Sequence, residues 1–190
     1  ADNAVAATTP TASGNNAVAI GSGAEATNTD SVALGKAKAT GEEAFSASID
    51  AISTTYGAHG TNSIAIGRIA RANGTNAVAI GQSCISTGTR SISVGYDNDV
   101  TQNVASSFGT GNTNSAASCV TLGIENTAAH QYSMGFGFAG STRAKGHHAQ
   151  GFGYGLTDSA FGIGVYTPDA TPKDLVGGYY TSAAGSDNQV

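Results

Sequence analysis

The chain has 190 residues, enough for one domain or two small ones. Charged residues make up 11% of it, about half the share of an ordinary globular domain, so its polar surface has to be built from Asn, Ser, Thr and Gly. With 33 Ala, 27 Gly, 7% aromatic residues and no Trp, a thick aromatic core is excluded. Eight basic residues against 13 acidic ones, with no basic block, argue against nucleic acid as a partner. No run approaches the ~18 apolar residues of a membrane helix, so no membrane insertion is expected. A net charge of −5 is too small for the disorder signature.

In chain order, Asn3-Ala4-Val5-Ala6-Ala7 is a degenerate first copy of a motif that becomes clear at Ala17-Val18-Ala19-Ile20-Gly21 and Ser31-Val32-Ala33-Leu34-Gly35. Ala44-Phe45-Ser46-Ala47-Ser48 follows one residue short, with Ser in place of Gly. From Ser63-Ile64-Ala65-Ile66-Gly67 onward the closing glycines fall at 67, 81, 95, 109, 123 and 137, a step of fourteen residues each time. Ala149-Gln150-Gly151-Phe152-Gly153 and Ala160-Phe161-Gly162-Ile163-Gly164 keep the frame at irregular spacing. The repeat thus spans residues 1–164, irregular from about 138, and 165–190, with Pro168 and Pro172, forms a C-terminal tail or docking segment. A fixed short period signals a solenoid.

Each motif alternates small and large apolar residues with period two, and its Val and Ile favour strand. Successive side chains then point to opposite faces, Val18 and Ile20 to one and Ala17 and Ala19 to the other. The Gly permits a turn with φ > 0. A second alternating segment follows in each unit, as in Arg68-Ile69-Ala70-Arg71-Ala72-Asn73-Gly74. Fourteen residues therefore predict two strands of roughly five residues and two tight turns. Stacking such coils yields an all-β solenoid, with Val18, Val32, Ile64, Val78, Ile92 and Val120 expected in one internal column and Ile20, Leu34, Ile66, Ile80, Val94, Phe108, Leu122 and Phe136 in another. Ser106 and Gln150 are weak points in that arrangement. The opposite strip of small residues, Ala17, Ser31, Ser63, Ala77, Ser91, Ala105, Cys119 and Ser133, is either a flat solvent face or an interface with further copies of the chain. On the second reading Ala77→Leu would weaken assembly more than fold.

Asn76-Ala77-Val78-Ala79-Ile80-Gly81, followed by an Ala-rich strand and a Gly-Thr-Asn turn such as Gly74-Thr75-Asn76 or Gly60-Thr61-Asn62, resembles the head repeat of trimeric autotransporter adhesins, the YadA-like head. The resemblance covers about 140 residues. It implies a left-handed parallel β-roll in which three chains pack around a common axis, carried on a stalk at the bacterial cell surface and binding host surfaces. No neck, heptad stalk or membrane anchor stands in these residues, and the last third is more aromatic than the repeats before it. The expected function is therefore non-catalytic attachment by a homotrimer displayed outside the cell. The alternative is a bacteriophage virion component, a fibre segment or capsid decoration whose partners are other virion proteins.

Features that could carry chemistry are sparse. Cys84 and Cys119 lie two and a half periods apart, roughly 12 Å along a solenoid axis and beyond the ~7 Å limit for a disulfide, so Cys119 is expected as a small buried residue. His147 and His148 are adjacent and point apart if extended, Asp97-Asn98-Asp99 lacks the surroundings of a calcium solenoid, and neither metal nor cofactor is expected. Gly135-Phe136-Gly137-Phe138-Ala139-Gly140 matches a dinucleotide pattern only because its glycines follow the repeat. No nucleophile elbow or triad spacing suggests an enzyme. Where the fourteen-residue step breaks, the extra residues are expected as extruded loops, serving either as binding loops or as slack. The first break places Tyr56 and His59 among the partner-binding candidates, the second Arg143, Lys145, His147 and His148, and the tail Tyr179 and Tyr180.

Overall fold

The computed structural model describes residues 9–49, 55–129, 131–132 and 134–137, together with the backbone pairing of strands Arg143–Ala144, Gln150–Phe152, Ala160–Ile163 and Thr181–Ala184. The fold is a parallel β-solenoid of about nine turns with ~14 residues per turn. Each coil contributes a long strand of three to five residues, such as Val78–Gln82, and a short strand of two, such as Ile85–Ser86. The long strands stack into one parallel sheet and the short strands into another. Register follows the repeat: Val78 pairs with Ile92, Ile92 with Ser106, and Gly81 with Gly95. Within the tail, Thr181–Ala184 pairs with Ala160–Ile163.

The glycine that closes each long strand is fixed by two constraints at once. Gly81 has φ +115, and a Cβ there would lie 1.8 Å from the carbonyl oxygen of Gly95 in the next coil. Ser48 stands at this place in its own coil, opposite Gly35. At the corner before each long strand the chain takes the left-handed conformation, at Asn16, Asp30, Asn62 and Asn76 with side chains that tolerate it, and elsewhere at Glu43, Arg90, Val104, Ser118 and Tyr132, which the stacking of coils holds there. Their amides bond to the preceding coil, as in Asn76 N donating to Thr61 O at 2.8 Å.

The alternation along the long strands holds, but its sense is the reverse of the sequence expectation. Ala33, Ala79, Ser93, Ser107 and Thr121 are fully buried, and so are Ser31, Ser63, Ala77, Ser91, Ala105 and Cys119. The larger residues point outward, with Ile20 61%, Leu122 46% and Phe108 38% exposed. The reason is width. Side chains from both sheets meet inside a coil of about fourteen residues, and Ser86 Oγ and Ser91 Oγ touch there at 2.6 Å. Ile, Leu or Phe in every coil would push the sheets apart, and among the described residues Val100 and Thr121 are the largest branched side chains fully buried there. The strip expected to contact further copies is therefore the core of the single chain. Cys84 and Cys119 are buried in it and form no disulfide.

The interior changes character along the axis. Through the first coils it is mostly alanine, one cluster running from Ala24 to Cys84. Beyond it the corner held by Ala70 and Cys84 is taken by Asn98, Asn112 and Asn126, all buried. Asn98 Oδ1 accepts from Asn112 N at 2.9 Å and Asn112 Nδ2 at 3.1 Å, and Asn112 Oδ1 accepts from Asn126 N and Nδ2, both at 2.9 Å. Each amide also donates to backbone carbonyls, Asn112 Nδ2 reaching Gly123 O at 2.9 Å. This ladder satisfies the buried Oδ1 atoms of Asn98 and Asn112, which would otherwise be costly, while Asn126 Oδ1 at its end finds no partner among the described residues.

Two outcomes follow from this interior. Ala77→Leu should cost about 1–3 kcal/mol or more by overpacking, so strand circular dichroism and assembly should be lost together; assembly lost from an intact fold would contradict the placement. Asn112→Ala strips Asn126 of its acceptor and should lower the urea midpoint by an amount corresponding to roughly 1–3 kcal/mol.

Candidate functional site

The outward side of the long-strand sheet carries two columns of apolar side chains. The first runs through Val18, Val32, Phe45, Ile64, Val78, Ile92, Ser106, Val120 and Met134. In the second, Ile20, Leu34, Ala47, Ile66, Ile80, Val94, Phe108, Leu122 and Phe136 follow one another through the same pairings. With ~4.8 Å per coil and ~12 Å for two columns, the strip covers roughly 500 Å². Monomeric proteins rarely expose contiguous apolar patches beyond a few hundred Å² without using them. A notch of about 460 Å³ opens in this face, lined by Leu34, Ala47, Ser48, Ile49, Ile66 and Arg68 among others. Ile49 is 85% exposed at its rim.

The short-strand sheet presents a different surface. Its outward column contains Glu25, Lys38, Gly57, Arg71, Ile85, Asp99, Thr113 and Thr127. Lys38 Nζ and Glu25 Oε1 form an ion pair at 2.6 Å, a partly exposed contact worth at most about 1 kcal/mol. His59 directly follows the strand Gly57–Ala58, and its Nδ1 lies 2.6 Å from Thr40 Oγ1. Burial pushes its pKa below the ordinary 6.5, backbone hydrogen bonds with Tyr56 and Thr55 oppose this, and the positive charges of Lys38 and Arg71 add to it. Asp99 is shifted the other way: burial raises its pKa, Arg71 counteracts, and Asp97 reinforces.

Among the sequence candidates, the structure brings Tyr56 and His59 together, both half-buried. His59 belongs to the coil itself, because the strand resumes at Gly57 and the extra residues end before it. Ala17 is half-buried at the first coils, while Ser31, Ser63, Ala77, Ser91, Ala105 and Cys119 lie wholly inside the roll. Arg143 sits on a short strand paired with Thr127. Lys145, His147, His148, Tyr179, Tyr180 and Ser133 lie outside the described residues. Among the described residues no cluster of His, Cys, Asp and Glu could hold a metal ion, and no helix is long and apolar enough to cross a membrane. Sequence reasoning missed the outward apolar face as the surface open to partners; the shortness of the coil was the signal that could have revealed it.

Two copies of the YadA head domain repeat match the chain, at residues 12–37 and 58–83. Each match covers two successive long strands with the glycine corner and the short strand between them. Together with the parallel solenoid, these matches support the resemblance to a YadA-like head. The same coil geometry continues past the second match in the strands Ile92–Tyr96, Ser106–Thr110 and Val120–Ile124. No curated protein matches the sequence.

The two shifted groups give opposite pH signatures. A histidine whose folded pKa is depressed contributes stability that is complete above its unfolded value of 6.5 and lost as pH falls below it. Thermal midpoints should therefore drop on acidification below about pH 6.5, and His59→Gln should flatten that slope. Asp99, whose folded pKa is raised, costs stability once it ionises. Asp99→Asn should accordingly raise the midpoint at neutral pH.

Proposed function

We propose that the chain is the head of a homotrimeric adhesin displayed at a bacterial surface, a left-handed β-roll that attaches to host-surface macromolecules without catalysing a reaction. The observation that carries this reading is the apolar strip from Val18 to Phe136, left open by a single chain whose repeats match the YadA head. Large side chains that cannot enter the narrow coil gain by meeting each other across copies, at ~25 cal/mol per Å² of apolar surface removed from water. Three chains around an axis parallel to the solenoid would remove the strip from water and leave the polar short-strand face outside. Attachment then falls to that outer face and to the loop residues, with Tyr56 and Arg143 among the candidates together with Lys145, His147, His148, Tyr179 and Tyr180.

Light scattering should find a particle of about three times the 18.7 kDa chain; a stable monomer would refute the assembly. Ile66→Glu together with Ile80→Glu places charges on the outer strip, so the expected product is a monomer with unchanged strand circular dichroism. Bacteria displaying the head should adhere to host-cell monolayers above cells without it. Equal adherence would overturn the attachment role.

A further inference from the structure

Between the first coil and that of Val120 and Leu122, the outward strip departs from its branched-aliphatic pattern in two coils, and the departures are opposite in sense; the next coil carries Met134 and Phe136, both large. In one coil the first column has Phe45 and the second has Ala47; in another the first column has Ser106 and the second has Phe108. Each coil between them carries two branched residues, as Val78 with Ile80 or Ile92 with Val94. Bulk is thus exchanged between columns while its sum within a coil is kept. A face open to water needs no such balance, whereas a packed layer does, since both voids and overfilling are costly. Phe45 does not fill the gap within its own chain: it is absent from the residues lining the notch over Ala47. A cyclic assembly joins different patches of successive copies, so the first column of one copy can meet the second column of the next all the way round.

We propose that Phe45 of one copy seats in the notch over Ala47 of the next copy, and Phe108 against Ser106 of its neighbour, the two pairs forming a key that fixes the axial register of the assembly. The inference rests on the self-association proposed above and adds which side chains meet. A slip by one coil would set Phe45 against Leu34 or Ile66 and leave the Ala47 notch unfilled. Only two coils carry the key, one near each end of the regular stack, which penalises every shifted register at two heights.

The test uses the full chain with Phe45→Cys and Ala47→Cys together, oxidised and run on a non-reducing gel beside light scattering. Within one chain these positions lie two residues apart on a strand with parallel Cβ directions, Cα atoms roughly 6.6 Å apart, a poor geometry for an internal bridge. The expected result is a covalently closed ring of chains, with no cross-link from either single variant. Phe45→Cys with Ile66→Cys reports a one-coil slip and should stay uncross-linked. An intact assembly that shows no 45–47 cross-link, or that cross-links as readily through the shifted pair, overturns the key while leaving the assembly standing. A monomer overturns both. As a second readout, Ala47→Phe should raise the dissociation midpoint concentration at least tenfold, and adding Phe45→Ala should restore most of it. Failure of the second change to restore assembly counts against the pairing.

Discussion

Inside each coil the side chains of the two sheets meet at hydrogen-bond distance, Ser86 with Ser91 at 2.6 Å and Ser93 Oγ with the carbonyl of Asn98 at 3.0 Å. This closeness sets the terms for every other position. Among the described residues it restricts the buried side chains to Ala, Ser, Cys, Thr, Asn and Val100, and it sends the other Val, Ile, Leu and Phe outward. A core of alanine buries little area per residue, so the usual gain from an apolar interior is small here. The deficit is offset by regularity: strand pairs with strand one coil away in both sheets, and from Gly67 to Gly123 the closing glycines repeat at a constant step.

The period, the strand character, the glycine corners and the resemblance to the YadA head were all legible in the residues, because a fourteen-residue repeat constrains position after position in the same way. The sense of the alternation was not. Val18-Ala19-Ile20 reads equally well with either face inside, and hydrophobicity alone favours the wrong one. Deciding it requires the width of the coil, which is a tertiary quantity. The second strand was also expected longer than the two residues found, since alternation in Arg68 to Ala72 continues through what is a corner, where Ile69 takes φ 51. The Asn98, Asn112 and Asn126 ladder left a trace in the fourteen-residue spacing of its members, but a periodic Asn in a polar chain looks like surface until the corner is known to point inward.

The candidate site was less legible than the fold for the same reason. Small residues such as Ala77 and Ser91 suggested close approach between chains, and they do approach closely, but within one chain. Tyr56 and His59 were expected within an extruded loop, yet His59 is a member of the coil, bound to Thr40 and flanked by Lys38 and Arg71. What distinguishes the two outer faces is composition. One carries two nearly unbroken apolar columns, and the other mixes Glu25, Lys38, Arg71, Asp99 and threonines.

The direction of the inter-coil hydrogen bonds has a mechanical consequence. Strands lie across the axis, so the bonds that join Asn98 to Asn112 or Val78 to Ile92 point along it. A load applied from end to end pulls these bonds in line rather than shearing them, and a chain entering each coil at one corner concentrates that load on one edge. A single roll would then open like a zipper, one coil at a time. In the proposed assembly, side-by-side contacts through the outer columns would resist in the other direction, since they would have to slide. Tensile strength would then reside between chains rather than along them.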